Sequence, residues 1–261
     1  MPAAAIAMFR ALSERLHGRS TGMLARLEQR LPQIAVGWFL LVAVASVLRI
    51  LFSPAASAGE TTVAPYILLT VAPVATFVLA LRWFADGDRL PQPSLRLAQV
   101  GRWRDVGRHE AERHALYGTS GIMLSLLIGM LINVPVRTAE YLVTMPAISA
   151  GAPAWLATLH LAMTVDVVLL SSLYVIAFVM ALRRVALFPR FLLLVWMVDI
   201  ASQLFIAHVS MAVGLPTGVA GALHGLLDGN VKKVLISIAL WLPYLLLSTR
   251  VNVTFRHRLP A

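Results

Sequence analysis

Two aspartates stand inside strongly apolar runs of this chain. Asp166 falls within the stretch Ala157–Leu182 and Asp199 within Phe191–Val213. A charge in hydrocarbon costs about 2.5–3.5 kcal/mol on insertion scales, so each needs a partner or a use. A helix rises about 1.5 Å per residue, which puts both near the middle of their stretches. On helical spacing Asp199, Ser202, Gln203 and Ser210 share one face, with His208 opposite. Asp166 has only apolar helical neighbours, Ala162, Val165, Leu169 and Leu170. Such groups support proton uptake and release along a polar track; the plainer use is hydrogen-bond glue between helices. Arg49 lies one turn inside the end of its own apolar run. Snorkelling to the interface accounts for it, and a salt bridge to Asp166 is the sharper alternative. The candidate intramembrane site is therefore Asp166, Asp199, Gln203 and Arg49.

Other arrangements offer less chemistry. Asn133 and Pro135 precede Arg137 and Glu140, whose three-residue step predicts an ion pair where the segment meets water, just beyond a proline kink. Trp83, Tyr141 and Trp155 fit an interfacial aromatic belt. His160 and His208 are isolated, and His224 with Asp228 is a four-step pair in a loop, so neither haem nor a metal is expected. The chain has no cysteine, which removes thiolate catalysis and disulfides. The glycine loop of nucleotide-binding proteins and the serine or zinc hydrolase motifs are absent from the sequence. Asp86-Gly-Asp88 reads as a turn. No enzyme activity and no cofactor are expected.

The elements that must position these residues follow from length and hydropathy. The chain has 261 residues, 59% hydrophobic and 13% charged, with a mean hydropathy of +0.80. A crossing needs about 20 apolar residues. Six stretches qualify: Gln33–Phe52, Pro65–Phe84, Thr119–Val136, Ala157–Leu182, Phe191–Val213 and Val234–Val251. In lipid each must be a helix, because the backbone has to satisfy its own hydrogen bonds. The sequence thus predicts an all-α, polytopic integral membrane protein. Before the first span, Ile6, Phe9, Leu12 and Leu16, then Met23, Leu24, Leu27 and Leu31, predict an amphipathic interfacial helix broken at Gly18–Gly22. No signal-peptide pattern is expected there.

Residues 1–32 thus form a cytoplasmic amphipathic segment and 33–85 a two-span hairpin. Residues 86–117 form an arginine-rich linker and 118–261 a four-span unit. Gly214–Val231 reads as a glycine-rich loop that could hold a short helix around Val219–Leu227. Eighteen of the 22 lysines and arginines fall in the N-terminal tail, the 2–3 and 4–5 connections and the C-terminus. The positive-inside rule puts both termini in the cytoplasm. The net charge of +10 is this topogenic arginine, so the expected contact is the lipid bilayer and not nucleic acid.

The back part carries three local patterns: Gly118-Thr-Ser-Gly121, Ala181-Leu-Arg-Arg-Val-Ala-Leu-Phe-Pro189, and Trp241-Leu-Pro-Tyr244 followed by Ser248-Thr-Arg-Val251 and Thr254-Phe255. In these, residues 118–258 resemble a bacterial inner-membrane family of four-span proteins known as domain of unknown function 2569. The opening differs from that family's Gly-Gly-Trp, of which Gly37-Trp38 is the nearer echo. The resemblance implies fold and membrane and no activity. The leading expectation is a non-enzymatic accessory or assembly component that packs against a membrane-protein partner or a second copy of itself. The rival is a proton-coupled small-solute carrier that uses the midplane aspartates. A water-accessible cavity reaching Asp199 would favour the carrier.

Overall fold

The computed structural model describes residues 3–53, 61–94 and 101–261, with side chains from Ser20 onward. The helices are α1 (Ala3–Leu51), α2 (Ala64–Trp83), α3 (Arg108–Glu112), α4 (Ile122–Thr144), α5 (Ala154–Leu182), α6 (Phe188–Ala212), α7 (Thr217–Leu247) and α8 (Thr249–Arg256). Two short strands, β1 (Trp103–Asp105) and β2 (Arg258–Pro260), complete the order. All six expected spans are present as helices long and apolar enough to cross a membrane. Prolines mark where several begin: Pro65 and Pro189 sit in the first turn of α2 and α6, and Pro153 and Pro216 directly precede α5 and α7. Proline suits these places because the first helical N–H groups have no partner to lose.

The burial pattern is that of a protein solvated by lipid. Leu161, Val165, Leu204, Phe205, Leu235, Ile236 and Leu240 are exposed, while Asp166, Asp199 and Gln203 are buried. A water-soluble protein of this size would not display so much contiguous apolar surface. The fold defines a multi-pass all-α membrane protein. Helix α5 is its centre, packed on α2, α4 and α6. Helix α1 lies on α2 and α4, so the front hairpin and the four-span unit form one bundle. Helix α7 packs mainly on α6.

Several boundaries differ from those the sequence predicts. Helix α1 runs unbroken through Gly18–Gly22, because a helix already stabilised by packing tolerates a glycine at a cost of about 1 kcal/mol. Leu24, Leu27 and Leu31 pack against the core, and the side chains of Ile6, Phe9, Leu12 and Leu16 lie outside the described residues. Helix α4 continues through Pro135 to Thr144, eight residues beyond its expected end. The Gly214–Val231 stretch is helical from Thr217 onward and forms the first half of α7, anchored by buried Leu223 and Leu227. The last span stops earlier than expected: Ser248 is extended (ψ 128°), and α8 turns away beneath the bundle.

The 86–117 segment is more than a linker. Its β1 pairs antiparallel with β2, Arg104 opposite Leu259, and Val106 N–H donates to His257 O at 3.0 Å. We call this end of the bundle the ribbon side and the opposite end the far side. The α5–α6 turn on the ribbon side is a Schellman closure: Arg184 is left-handed (φ 55°), and Val185 N–H donates to Met180 O at 2.9 Å. Residues 86–94 dock on that turn. Asp88 accepts from Arg108 at 2.8 Å, and Arg184 lies 3.8 Å from the same carboxylate oxygen. Gly87 makes the approach possible, since a Cβ there would stand 2.6 Å from Val185 Cγ2 and 2.9 Å from Arg183 O. Gly87→Ala is therefore expected to cost about 1–3 kcal/mol in a thermal unfolding series, the range for overpacking a tight contact. Gly107→Ala, which meets nothing within 4 Å, should stay within about 0.5 kcal/mol of the parent. Equal shifts for the two would show that the docking is not tight.

Helix α8 closes the ribbon side. Its residues from Val251 to Arg256 are buried, and Phe255 packs on Phe188 with ring centroids 5.1 Å apart. Arg256 donates to Asn252 Oδ1 at 3.1 Å and to Leu245 O at 2.9 Å. Burial, with Arg258 and Arg190 nearby, pushes its guanidinium down to about 10. Gly118 N–H donates to Thr254 Oγ1 at 3.0 Å, so the start of α4 is tied to α8. On the far side Ser53 Oγ donates to Ala147 O and Thr62 N–H to Ile148 O, both at 2.9 Å, joining the two far-side loops.

Candidate functional site

The polar face predicted on α6 forms as expected, with Asp199, Gln203 and Ser210 buried and His208 exposed. Helix α5 brings Asp166 and Tyr174 to the same level from the neighbouring helix. What joins them is Arg137. Its Nη1 donates to Asp166 Oδ2 at 3.1 Å. Its Nη2 donates to Asp199 Oδ1 and Oδ2 at 2.8 and 2.7 Å. Asp199 also accepts from Tyr174 Oη at 3.0 Å. Asp166 Oδ1 accepts from Gln203 Nε2 at 3.0 Å and from Ser202 Oγ. Asn230 of α7 donates to Gln203 Oε1 at 3.2 Å. The site is thus one guanidinium between two carboxylates, fixed by neutral donors from three helices.

Two expectations about this constellation are corrected. Arg137 does not pair with Glu140 at the membrane surface. Because α4 extends to Thr144, Arg137 lies about two turns inside the helix end, where Val134, Thr138 and Tyr141 turn their buried face to α5. Glu140 is left to pair with Lys233 of α7 at the rim. Arg49 does not reach Asp166. Its Nε donates to Met145 O at 3.0 Å and its Nη2 to Val143 O at 3.4 Å, so it caps the C-terminal end of α4, where a cation complements the helix dipole. Of the four expected site residues, Asp166, Asp199 and Gln203 come together and Arg49 stays apart.

Arg137 is the member that sequence reading missed. Two midplane carboxylates call for a cation, but the sequence offers Arg49 inside a span and places Arg137 beyond Pro135, and only the continuation of α4 to Thr144 brings Arg137 to them. Tyr141 is a third correction, since it is buried and not interfacial. Its hydroxyl meets Thr164 Oγ1 at 2.7 Å and His160 Nε2 at 3.2 Å, which gives His160 its hydrogen bond. His224 and Asp228 do not pair; Asp228 accepts from Lys232 at 2.6 Å. No cluster of three or more potential metal ligands occurs among the described residues.

A cavity of about 140 Å³ opens between α4, α6 and α7 and reaches Arg137 and Asp199. Asn133, Asn230 and Ser237 contribute polar groups to its wall, Trp196 and Trp241 apolar ones, and Glu140 and Lys233 border it. Within the site, Arg137 Nε is buried and has no acceptor among the described residues. A second cavity of about 180 Å³, between α1, α2 and α4, is almost wholly apolar, lined by Trp38, Pro73, Phe77 and Pro135 among others. Comparison with protein-family models, curated proteins and solved structures gives no match to this chain. Function must therefore be argued from the site.

Proposed function

We propose that this protein is a non-enzymatic carrier of the bacterial inner membrane that binds a small polar solute at Arg137 and couples its movement to protonation of Asp166 and Asp199. The observation that carries this reading is a cavity, walled in part by polar groups, that reaches a buried Arg–Asp–Asp triad near the middle of the spans. Structural glue alone needs no cavity, and a solute site at this depth is the usual design of secondary transporters. The ribbon side is the cytoplasmic side in this proposal, since most of the arginines gather there. The accessory reading draws on the apolar crevice by Trp38, which suits a partner helix or an acyl chain. The likeness of residues 118–258 to a family of unknown function adds no activity to either.

The absence of native cysteine makes a direct test simple. Asn133→Cys and Ser237→Cys place single thiols on the cavity wall, and Leu240→Cys, exposed on the lipid-facing surface of α7, serves as control. A carrier must open to each side in turn. Both cavity thiols should therefore react with a membrane-impermeant reagent in right-side-out and in inverted vesicles, and Leu240→Cys in neither. Labelling from one face only, or no faster than the control, rules out the carrier.

A further inference from the structure

Resting on the carrier reading, we infer that the cavity takes a small carboxylate anion together with one proton. The first argument is what a solute meets on entering. Asp199 touches the cavity wall, yet its side chain is 0% exposed behind Arg137, which keeps 11%. Asn133, Asn230 and Ser237 surround it with groups able to donate. Glu140 and Lys233 pair with each other at the rim, so the charge accessible in the depth of the cavity is the Arg137 cation, which disfavours ammonium solutes and attracts anions.

The second argument is the geometry of that cation. Arg137 spends Nη1 on Asp166 and Nη2 on Asp199. Its buried Nε–H has no acceptor among the described residues. A guanidinium offers a planar fork that fits a carboxylate with two parallel N–H···O bonds. Once the guanidinium turns toward the cavity, an incoming carboxylate that takes Nε–H and shares Nη2 with Asp199 satisfies the orphaned donor. Size sets a limit: a cavity of about 150 Å³ holds benzene, so this one suits solutes of about six non-hydrogen atoms.

The third argument is charge balance, because a surplus charge at this depth is expensive. One guanidinium and two carboxylates are neutral when one carboxyl holds a proton. Adding an anion restores that balance only if the second carboxyl also takes a proton, drawn from water through the open cavity. The loaded site is then a guanidinium–carboxylate pair beside two neutral carboxyls. One anion enters with one proton, and no covalent bond of the solute changes.

Calorimetry on the detergent-solubilised protein tests this with three small probes: L-lactate, its equally large amide lactamide, and the smaller cation ethylammonium. Repeating each titration in buffers of different ionisation heat counts the linked protons. Lactate should bind at least about tenfold more tightly than either other probe, the value of a hydrogen bond to a charged group. About one proton should be taken up per lactate bound. Arg137→Lys, which keeps the charge and loses the fork, should weaken lactate by about 10–100-fold. Asp166→Asn leaves one carboxyl to titrate and should retain the linked proton. Asp166→Asn/Asp199→Asn leaves none and should bind lactate without it.

If the double variant does not fold, the wild-type and Asp166→Asn proton counts still decide. Lactate binding with no linked proton in the wild type overturns the inference, as does lactamide binding equally well. Ethylammonium as the tightest probe overturns the carboxylate assignment and leaves the carrier standing. Should no probe bind, the carboxylate inference falls; one-sided thiol labelling would then remove the carrier reading as well.

Discussion

Arg137→Met should be among the most damaging single changes in this molecule, lowering stability by about 3–5 kcal/mol, the cost of leaving buried partners of a broken ion pair uncompensated. The residue has no substitute. Its Nη2 alone holds both oxygens of Asp199, and among the described residues Tyr174 adds the one further bond to that carboxylate. The measurement is denaturant or thermal unfolding in detergent, followed by tryptophan fluorescence. A second variant separates a buried charge from a mere change of shape. In Arg137→Met/Asp166→Asn/Asp199→Asn the charges are removed together, and replacing a whole buried ion group is often neutral. The triple variant should therefore recover most of the loss. The rim supplies the contrast: Glu140 and Lys233 are 32% and 58% exposed, so Glu140→Gln should cost less than about 1 kcal/mol. A harmless Arg137→Met, or a triple variant no better than the single one, would mean that the triad does not hold α4, α5 and α6 together.

The same residue shows where the sequence could be read and where it could not. Six spans were legible because hydrocarbon thickness imposes a length and leaves the backbone no alternative to helix. The polar face of α6 was legible because the helical period needs no partner to be recognised. Span ends were not. Pro135 followed by Arg137 has the local appearance of a helix leaving the membrane, and what keeps it inside is two carboxylates from α5 and α6. A tertiary ion pair leaves no local trace. Glycine-rich Gly214–Val231 misled for the opposite reason: its low helix propensity is a weak prior, and Leu223 and Leu227 override it by packing with Tyr66, Tyr141 and Leu159. Asp199 and Asp166 could thus be named before the fold was known, and the cation between them could not.

The C-terminal residues pose the sharpest case of the same kind. A run with Arg250, Arg256 and Arg258 reads as a basic tail beyond the last span, yet α8 buries Val251, Val253 and Phe255 completely or nearly so. Phe255→Ala should cost about 3–5 kcal/mol, as expected for removing a buried ring whose surroundings cannot collapse. Its ring lies on Phe188, at the first turn of α6 and next to the α5–α6 turn that Gly87 also touches. The void would therefore open at the point where the 86–94 segment, α6 and α8 meet. Loss should spread from there into the ribbon, because β2 begins two residues after α8 ends and its ladder is three residue pairs long. Hydrogen exchange at Val106 N–H, bonded to His257 O in the parent, reads that spread directly. Faster exchange at Val106 with unchanged protection in the middle of α5 is the expected pattern. Uniform acceleration through α5 would instead mean that α8 and the spans unfold as one unit. An unchanged Val106 with an unchanged unfolding temperature would remove α8 from the core. Phe255→Leu, which keeps most of the volume, should stay within about 1.5 kcal/mol of the parent and preserve the ribbon.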